Sequence, residues 1–139
     1  MRLLNINGKL VSKSVSKYLI KWDEKSRSNI QFKSKQFFKK YWLSHIVYEE
    51  FPVYGSRMKV DFLNATKKIA VEVQGEQHES FNPFFHANSR VNYLNSIKRD
   101  YNKHKWLEAN GFKIIEIYQK EIKDLSLEYF EKTFGYSIL

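Results

Sequence analysis

Apolar residues recur along this chain with two different periods, and the switches between them mark out its elements. Phe32, Phe37, Phe38, Tyr41 and Trp42 follow helical spacing and predict a helix from about Ser34 to Ser44. Branched and aromatic residues then crowd into Ile46–Phe51 (IVYEEF), after which Pro52 and Gly55 mark a turn. Met58–Leu63 (MKVDFL) alternates, and Asn64–Thr66 supplies turn residues. Ile69–Val73 (IAVEV) is a nearly continuous apolar strand broken by one acid, and Gln74–Gly75 ends it. A long loop is expected from about Glu76 to Asn88. Asn92–Asn110 reads as a helix with Tyr93, Leu94, Ile97, Tyr101, Trp106 and Leu107 on or near one face, and Gly111 stands where a C-terminal cap belongs. Phe112–Tyr118 (FKIIEIY) is another strand and Leu125–Phe134 a last helix. Residues 1–30 have no clear period. A short strand or helix is expected around Ser14–Trp22, and a loop over Asp23–Asn29 (DEKSRSN).

The resulting order is helix, three strands, helix, strand, helix. A three-strand meander followed by a helix and one further strand makes an α/β fold, a mixed central sheet of about four strands flanked by helices. No internal repeat or low-complexity tract interrupts it. With 5 glycines and 2 prolines in the whole chain, long flexible linkers are not expected.

Charge adds a direction to this picture. From Met1 to Tyr48 there are 11 Lys and Arg against 2 acids, Asp23 and Glu24, whereas the rest of the chain is balanced at 13 against 13. The whole formal excess of +9 therefore sits in the first third. A basic segment beside a neutral body suggests a surface for a polyanion, and Tyr18, Trp22, Phe32, Phe37, Phe38, Tyr41 and Trp42 are interleaved with it. A solvated basic face over a packed aromatic core is the plainer alternative.

Composition narrows the class. A chain of 139 residues is one ordinary domain, and 42% hydrophobic residues with 17% aromatics can bury a real core. Cysteine is absent, which rules out a disulfide staple, a thiolate metal site or a cysteine nucleophile. No apolar run approaches a membrane span, and the stretch MRLLNINGKLVSK is too short in apolar residues for a signal peptide. The expectation is a soluble protein of the cytoplasm with no membrane partner.

One constellation stands out chemically: Asp61, then Glu72, then Gln74 and His78 in the run AVEVQGEQH. Asp61 and Glu72 lie in successive strands joined by a short turn, so an antiparallel pairing can bring both carboxylates to one sheet edge. Two such carboxylates repel, and a hard divalent cation relieves that repulsion; oxygen ligands suit Mg²⁺ or Mn²⁺. The carbonyl of Val73 could add a ligand. Glu72 breaks an apolar strand, where an unpaired charge is expensive, unless it merely sits on the exposed face of an edge strand. Gln74 shares its strand face and could orient a water or a phosphate, but it cannot neutralise a developing phosphorane as a lysine could. His78 is the best general base by residue type, and could instead ligate the metal or bond a phosphate. His86 lies in the same loop. Asp100, in IKRDYNKHKW, is either a helix-surface ion-pair partner or the group that fixes the His78 tautomer or completes the metal shell, with Lys98 and Arg99 on phosphate.

These residues carry a resemblance. The stretch MKVDFLNATKKIAVEVQGEQH, followed by IKRDYNKHKWLEANGFKIIEI, resembles the PD-(D/E)XK nuclease superfamily, in particular the branch of very-short-patch-repair endonucleases and phage homing-type endonucleases. Such proteins pair a "DF" strand with an "E-x-(D/Q)-G-x-Q-H" strand, followed by an "RD…K…W" helix and a "GF" strand. The likeness runs from about Val47 to Tyr118.

The resemblance implies a restriction-endonuclease-like core, DNA as the partner, Mg²⁺ or Mn²⁺ as the cofactor, and phosphodiester hydrolysis leaving 5′-phosphates. It implies Asp61 as metal ligand, His78 as catalytic histidine and Asp100 as the late acid. Glu72 and Gln74 take the places of the (D/E)-x-K pair, a known variation. One departure is notable. The branch often carries a Glu in a "SKxE" helix, and here the run is SKQFF, so Gln36 stands where that Glu would be; Glu49 and Glu50 are nearby acids that could substitute.

The expected organisation is a basic DNA-grasping extension over residues 1–30 and a nuclease-like domain over residues 31–139. Lys13, Lys17, Lys21, Arg27, Lys33 and Lys35 are expected on DNA. Three functions stay open: a metal-dependent DNA endonuclease, a catalytically weak or inactive nuclease-fold module that binds DNA, and an RNA-binding or protein-interaction domain. A homodimer would suit double-strand cutting, and a bacterial or phage-infected cell is the expected setting.

Overall fold

The computed structural model describes residues 1–75 and 90–139. The first element is a hairpin, β1 (Arg2–Leu4) paired antiparallel with β2 (Leu10–Ser12), and a 3-10 turn follows at Ser16–Tyr18. Helix α1 (Asn29–Trp42) leads into β3 (Val47–Pro52), β4 (Lys59–Asn64) and β5 (Ile69–Gln74). Helix α2 (Arg90–Ala109), strand β6 (Lys113–Tyr118), a 3-10 segment (Gln119–Asp124) and helix α3 (Leu127–Phe134) complete the chain. The expected loop Glu76–Asn88 lies outside the described residues.

The central sheet has the order β3-β4-β5-β6. Its first two pairings are antiparallel and the β5–β6 pairing is parallel, with Ala70 beside Ile114 and Glu72 beside Glu116. A parallel neighbour needs a crossover, and α2 is that crossover. The mixed four-strand sheet flanked by helices agrees with the coarse class that the apolar pattern predicts.

Each face of the sheet is covered because the strands carry large apolar residues on both. On one side Phe38 and Trp42 of α1, Phe130 of α3 and Ile138 pack with Phe62, Val71, Ile115 and Ile117. Phe38 stacks on Trp42 with ring centres 4.3 Å apart, and the Trp42 indole donates to the Ile138 carbonyl at 2.7 Å. On the other side Trp106 and Leu107 of α2 pack with Leu63, Ala70 and Phe112. Each such fully buried side chain contributes roughly 1.5–3 kcal/mol of transfer free energy.

The first thirty residues are more ordered than their composition suggests. Leu3 and Val15 are buried in the α2-side core. The Trp106 indole donates to the Leu4 carbonyl at 2.6 Å, and the Tyr54 hydroxyl donates to the Met1 carbonyl at 2.7 Å. Farther on, Ile20 donates its amide to the Val47 carbonyl, and Leu19 bridges Tyr48, so the segment covers the outer edge of β3.

Helix α1 begins at Asn29, earlier than its apolar spacing predicts, because Ser28 caps it: the Ser28 hydroxyl accepts the Gln31 amide at 3.2 Å. Gly111 does terminate α2. It adopts a φ of +82° and donates its amide to the Glu108 carbonyl. Among the described residues no helix is long and apolar enough to cross a membrane.

Candidate active site

Strands β4 and β5 are paired from Asn64↔Ile69 to Phe62↔Val71, and there the ladder stops. Asp61 and Glu72 are the next residues. Their carboxylates replace the missing ladder bonds. Asp61 Oδ2 accepts the Val73 amide at 2.8 Å, and Glu72 Oε2 accepts the Asp61 amide at 3.3 Å. The two acids that the sequence singles out are therefore neighbours, held where the strands part. Asp61 is 9% and Glu72 3% exposed.

The third partner comes from α2. Lys103 Nζ lies 2.6 Å from Glu72 Oε1, with both side chains largely shielded from solvent. Both oxygens of Glu72 are thus engaged, one by an ammonium and one by an amide. Burial pushes the Asp61 carboxyl well above the ordinary carboxylate range, and the neighbouring Glu72 charge and, more weakly, Glu50 push it further; the Val73 amide and Lys103 oppose this. Burial raises Glu72 as well, against the pull of Lys103.

Glu50 sits on β3 at the register position opposite Asp61, between the pairs Glu49↔Phe62 and Phe51↔Val60. Its backbone is in the left-handed region, at φ +53°, which is strained for a residue with a side chain. Gln31 of α1 holds it there. The Gln31 amide donates to Glu50 Oε1 at 3.1 Å and to Glu49 Oε2 at 2.9 Å. Beside Asp61 a cavity of about 310 Å³ opens, lined by residues Arg27 to Gln31 at the head of α1 and by Val73, Gly75 and Gln119.

Other sequence-selected residues fall as follows. Gln74 is buried at the end of β5. Asp100 lies one helical turn before Lys103 on α2, hence on the same side of the helix. Lys98 and Arg99 are exposed on that helix, and Arg99 donates to Ser96. His78 and His86 lie outside the described residues.

Two expectations need correction. Lys35 is not a surface residue for DNA: it is 1% exposed and its ammonium is consumed by Glu49 Oε1 and the Glu24 carbonyl, each at 2.8 Å. A buried ammonium requires such compensation. Gln36 does not face the acids; it donates to the Trp22 carbonyl at 2.9 Å, and Gln31, five residues earlier, occupies the place beside them. Lys13, Lys17, Lys21, Arg27 and Lys33 are exposed.

Sequence reasoning missed Lys103 and Gln31. Nothing in the sequence separates Lys103 from the other lysines around Asp100, whereas Gln31 is the fourth position of the capping signature Ser28-Asn29-Ile30-Gln31.

Chemically, the arrangement offers hard oxygens from two strands, an ammonium and a polar cavity. Among the described residues no group of three or more acids or histidines is gathered so as to hold a metal ion. The buried Asp61–Glu72 pair is nonetheless the donor type a hard cation takes; burial, and for Asp61 the charge of Glu72, raise its proton affinity.

No known family model matches the sequence, and no solved structure matches it. It is 35% identical over 75 residues to the uncharacterized protein 033L of Invertebrate iridescent virus 3, a match covering 53% of this chain and 38% of the viral protein. The chain thus spans well under half the length of that relative.

Proposed function

We propose that this chain is a metal-dependent DNA endonuclease built on a restriction-endonuclease-like core, of the PD-(D/E)XK type that its motifs resemble. The observation that carries the reading is the buried Asp61–Glu72 pair at the parting of β4 and β5, with Lys103 on Glu72. The basic first third supports a polyanionic substrate. The viral relative supports a viral or virus-infected setting.

The proposed roles follow from the chemistry of each side chain. Asp61, Glu72 and the Val73 carbonyl would hold Mg²⁺ or Mn²⁺, which when bound supplies Lewis-acid polarisation of the phosphate and a more acidic water. The Gln74 amide orients water or phosphate. Lys103 brings the positive charge that Gln74 lacks and fixes the rotamer of Glu72. His78 is the proposed proton acceptor, with Asp100 supporting it and Lys98 and Arg99 meeting the substrate backbone. A homodimer is proposed only for cutting both strands.

Supercoiled plasmid incubated with Mg²⁺, with Mn²⁺ and with EDTA tests this directly. Nicking or linearisation is expected with metal and none with EDTA. Asp61→Ala and Glu72→Ala should abolish cleavage while DNA binding in EDTA is retained. Undiminished cutting by both variants overturns the assignment.

The Lys103–Glu72 pair also favours a second reading, a nuclease-fold module that binds DNA with weak or no chemistry, because an ammonium already satisfies one acid. Titration calorimetry separates the two: Mg²⁺ or Mn²⁺ binding lost in Asp61→Ala favours the enzyme, and no heat from either metal favours the module.

A further inference from the structure

A second cavity, of about 210 Å³, lies between the 3-10 turn and β3 and is walled by Lys17, Lys21, Lys25 and Arg27. Arg27 also borders the 310 Å³ cavity that contains Asp61. Glu24, Glu49 and Glu50 line the same cavity and oppose its positive charge. Glu49 is quenched from three sides, by Lys35 at 2.8 Å, by the Gln31 amide at 2.9 Å and by the Ser26 hydroxyl at 2.6 Å. Glu50 accepts from Gln31, and Glu24 is met by Lys21 at 3.9 Å on an exposed surface. Glu49 and Glu50 are satisfied within the protein, so Glu24 alone offsets one of the four exposed cations Lys17, Lys21, Lys25 and Arg27. Lys17 lies 5.2 Å from the ring centre of Tyr18, which props it at the rim.

Cations gathered round one cavity, which shares Arg27 with the cavity lined by Asp61, suit a phosphodiester backbone. We propose that Lys17, Lys21, Lys25 and Arg27 form a track for the DNA backbone on one side of the cut, with Arg27 on the phosphate next to the one presented at Asp61. The track rests on the proposed nuclease reading for its end point, but not for its affinity. It holds the strand by charge and carries no base readout, so it orders the substrate without choosing a sequence.

The test is binding without catalysis. Fluorescence anisotropy of a labelled duplex is measured in EDTA over a salt series with wild type, with Lys17→Gln/Lys21→Gln/Lys25→Gln and with Arg27→Gln. A control carries Lys40→Gln/Lys68→Gln/Lys132→Gln, three lysines that line neither cavity. Each lost phosphate contact removes roughly 0.9 from the log–log salt slope, so the triple track variant should lose two or more and bind at least tenfold more weakly at low salt. Arg27→Gln should lose about one, and the control little. Equal slopes for the track and control variants overturn the track, as does a wild type that binds no DNA. If the track slope falls while no metal supports cleavage by wild type, the track stands and the nuclease reading alone fails.

Discussion

Asp61 is a carboxylate in the wrong surroundings for a charge. Buried beside another acid, it binds its proton more tightly folded than unfolded. Between those two proton affinities the folded chain holds more protons, so this group makes stability rise as pH falls, the reverse of a salt-bridged acid. Asp61→Asn keeps an acceptor for the Val73 amide and removes the charge. It should stabilise the metal-free protein by about 1–2 kcal/mol at pH 7.5, a gain that shrinks towards pH 5. Urea unfolding at both values checks the amount and its direction. Lys103 behaves oppositely. Lys103→Met strands Glu72 without its ammonium and should destabilise by about 3 kcal/mol, most of it recovered in Lys103→Met/Glu72→Gln. A double-mutant cycle measures that coupling, and additive losses would contradict it.

At the scale of elements, the head of α1 forms one wall of the site, and its cap sets where that wall begins. Ser28→Ala leaves the Gln31 amide without its acceptor and should lower stability by about 1 kcal/mol, read as a drop in the thermal midpoint. Apolar periodicity made the later strands legible because each buries large residues; of the face expected on α2, Trp106 and Leu107 are buried but Leu94, Ile97 and Tyr101 are exposed. It falls short at α1, which starts at Asn29, the last residue of the expected loop, and not near Ser34, because Asn29, Ile30 and Gln31 carry no apolar period. The acids were legible too, since Glu72 breaks an apolar strand and Asp61 precedes it by one short hairpin. Lys103 was not, because a lysine among Lys98, Lys105 and His104 looks like any solvated helix face until the crossover lays it on β5.

For the molecule as a whole, the basic first third is part of the core as well as part of the surface. Most of its lysines face outward, the buried Lys35 excepted, while Leu3 and Val15 are buried and its backbone carbonyls receive Trp106 and Tyr54. Removing residues 1–13 should therefore unfold the protein at clearly lower urea and shift its tryptophan emission to longer wavelength, since Trp106 loses its cover. An unchanged urea midpoint would show that the hairpin is dispensable. The hairpin was invisible in the sequence because two three-residue strands are too short to show a period, and the side chains that hold it, Tyr54 and Trp106, are remote in sequence.

The parting of β4 and β5 also makes a built-in reporter. The amide protons of Asp61 and Val73 are tied to carboxylates and not to carbonyls. A hard cation that draws those oxygens away releases two particular backbone protons while the rest of the sheet keeps its own. In ¹⁵N-resolved spectra occupancy would register as faster deuterium uptake at those two peaks, so site filling can be followed with no substrate and no turnover.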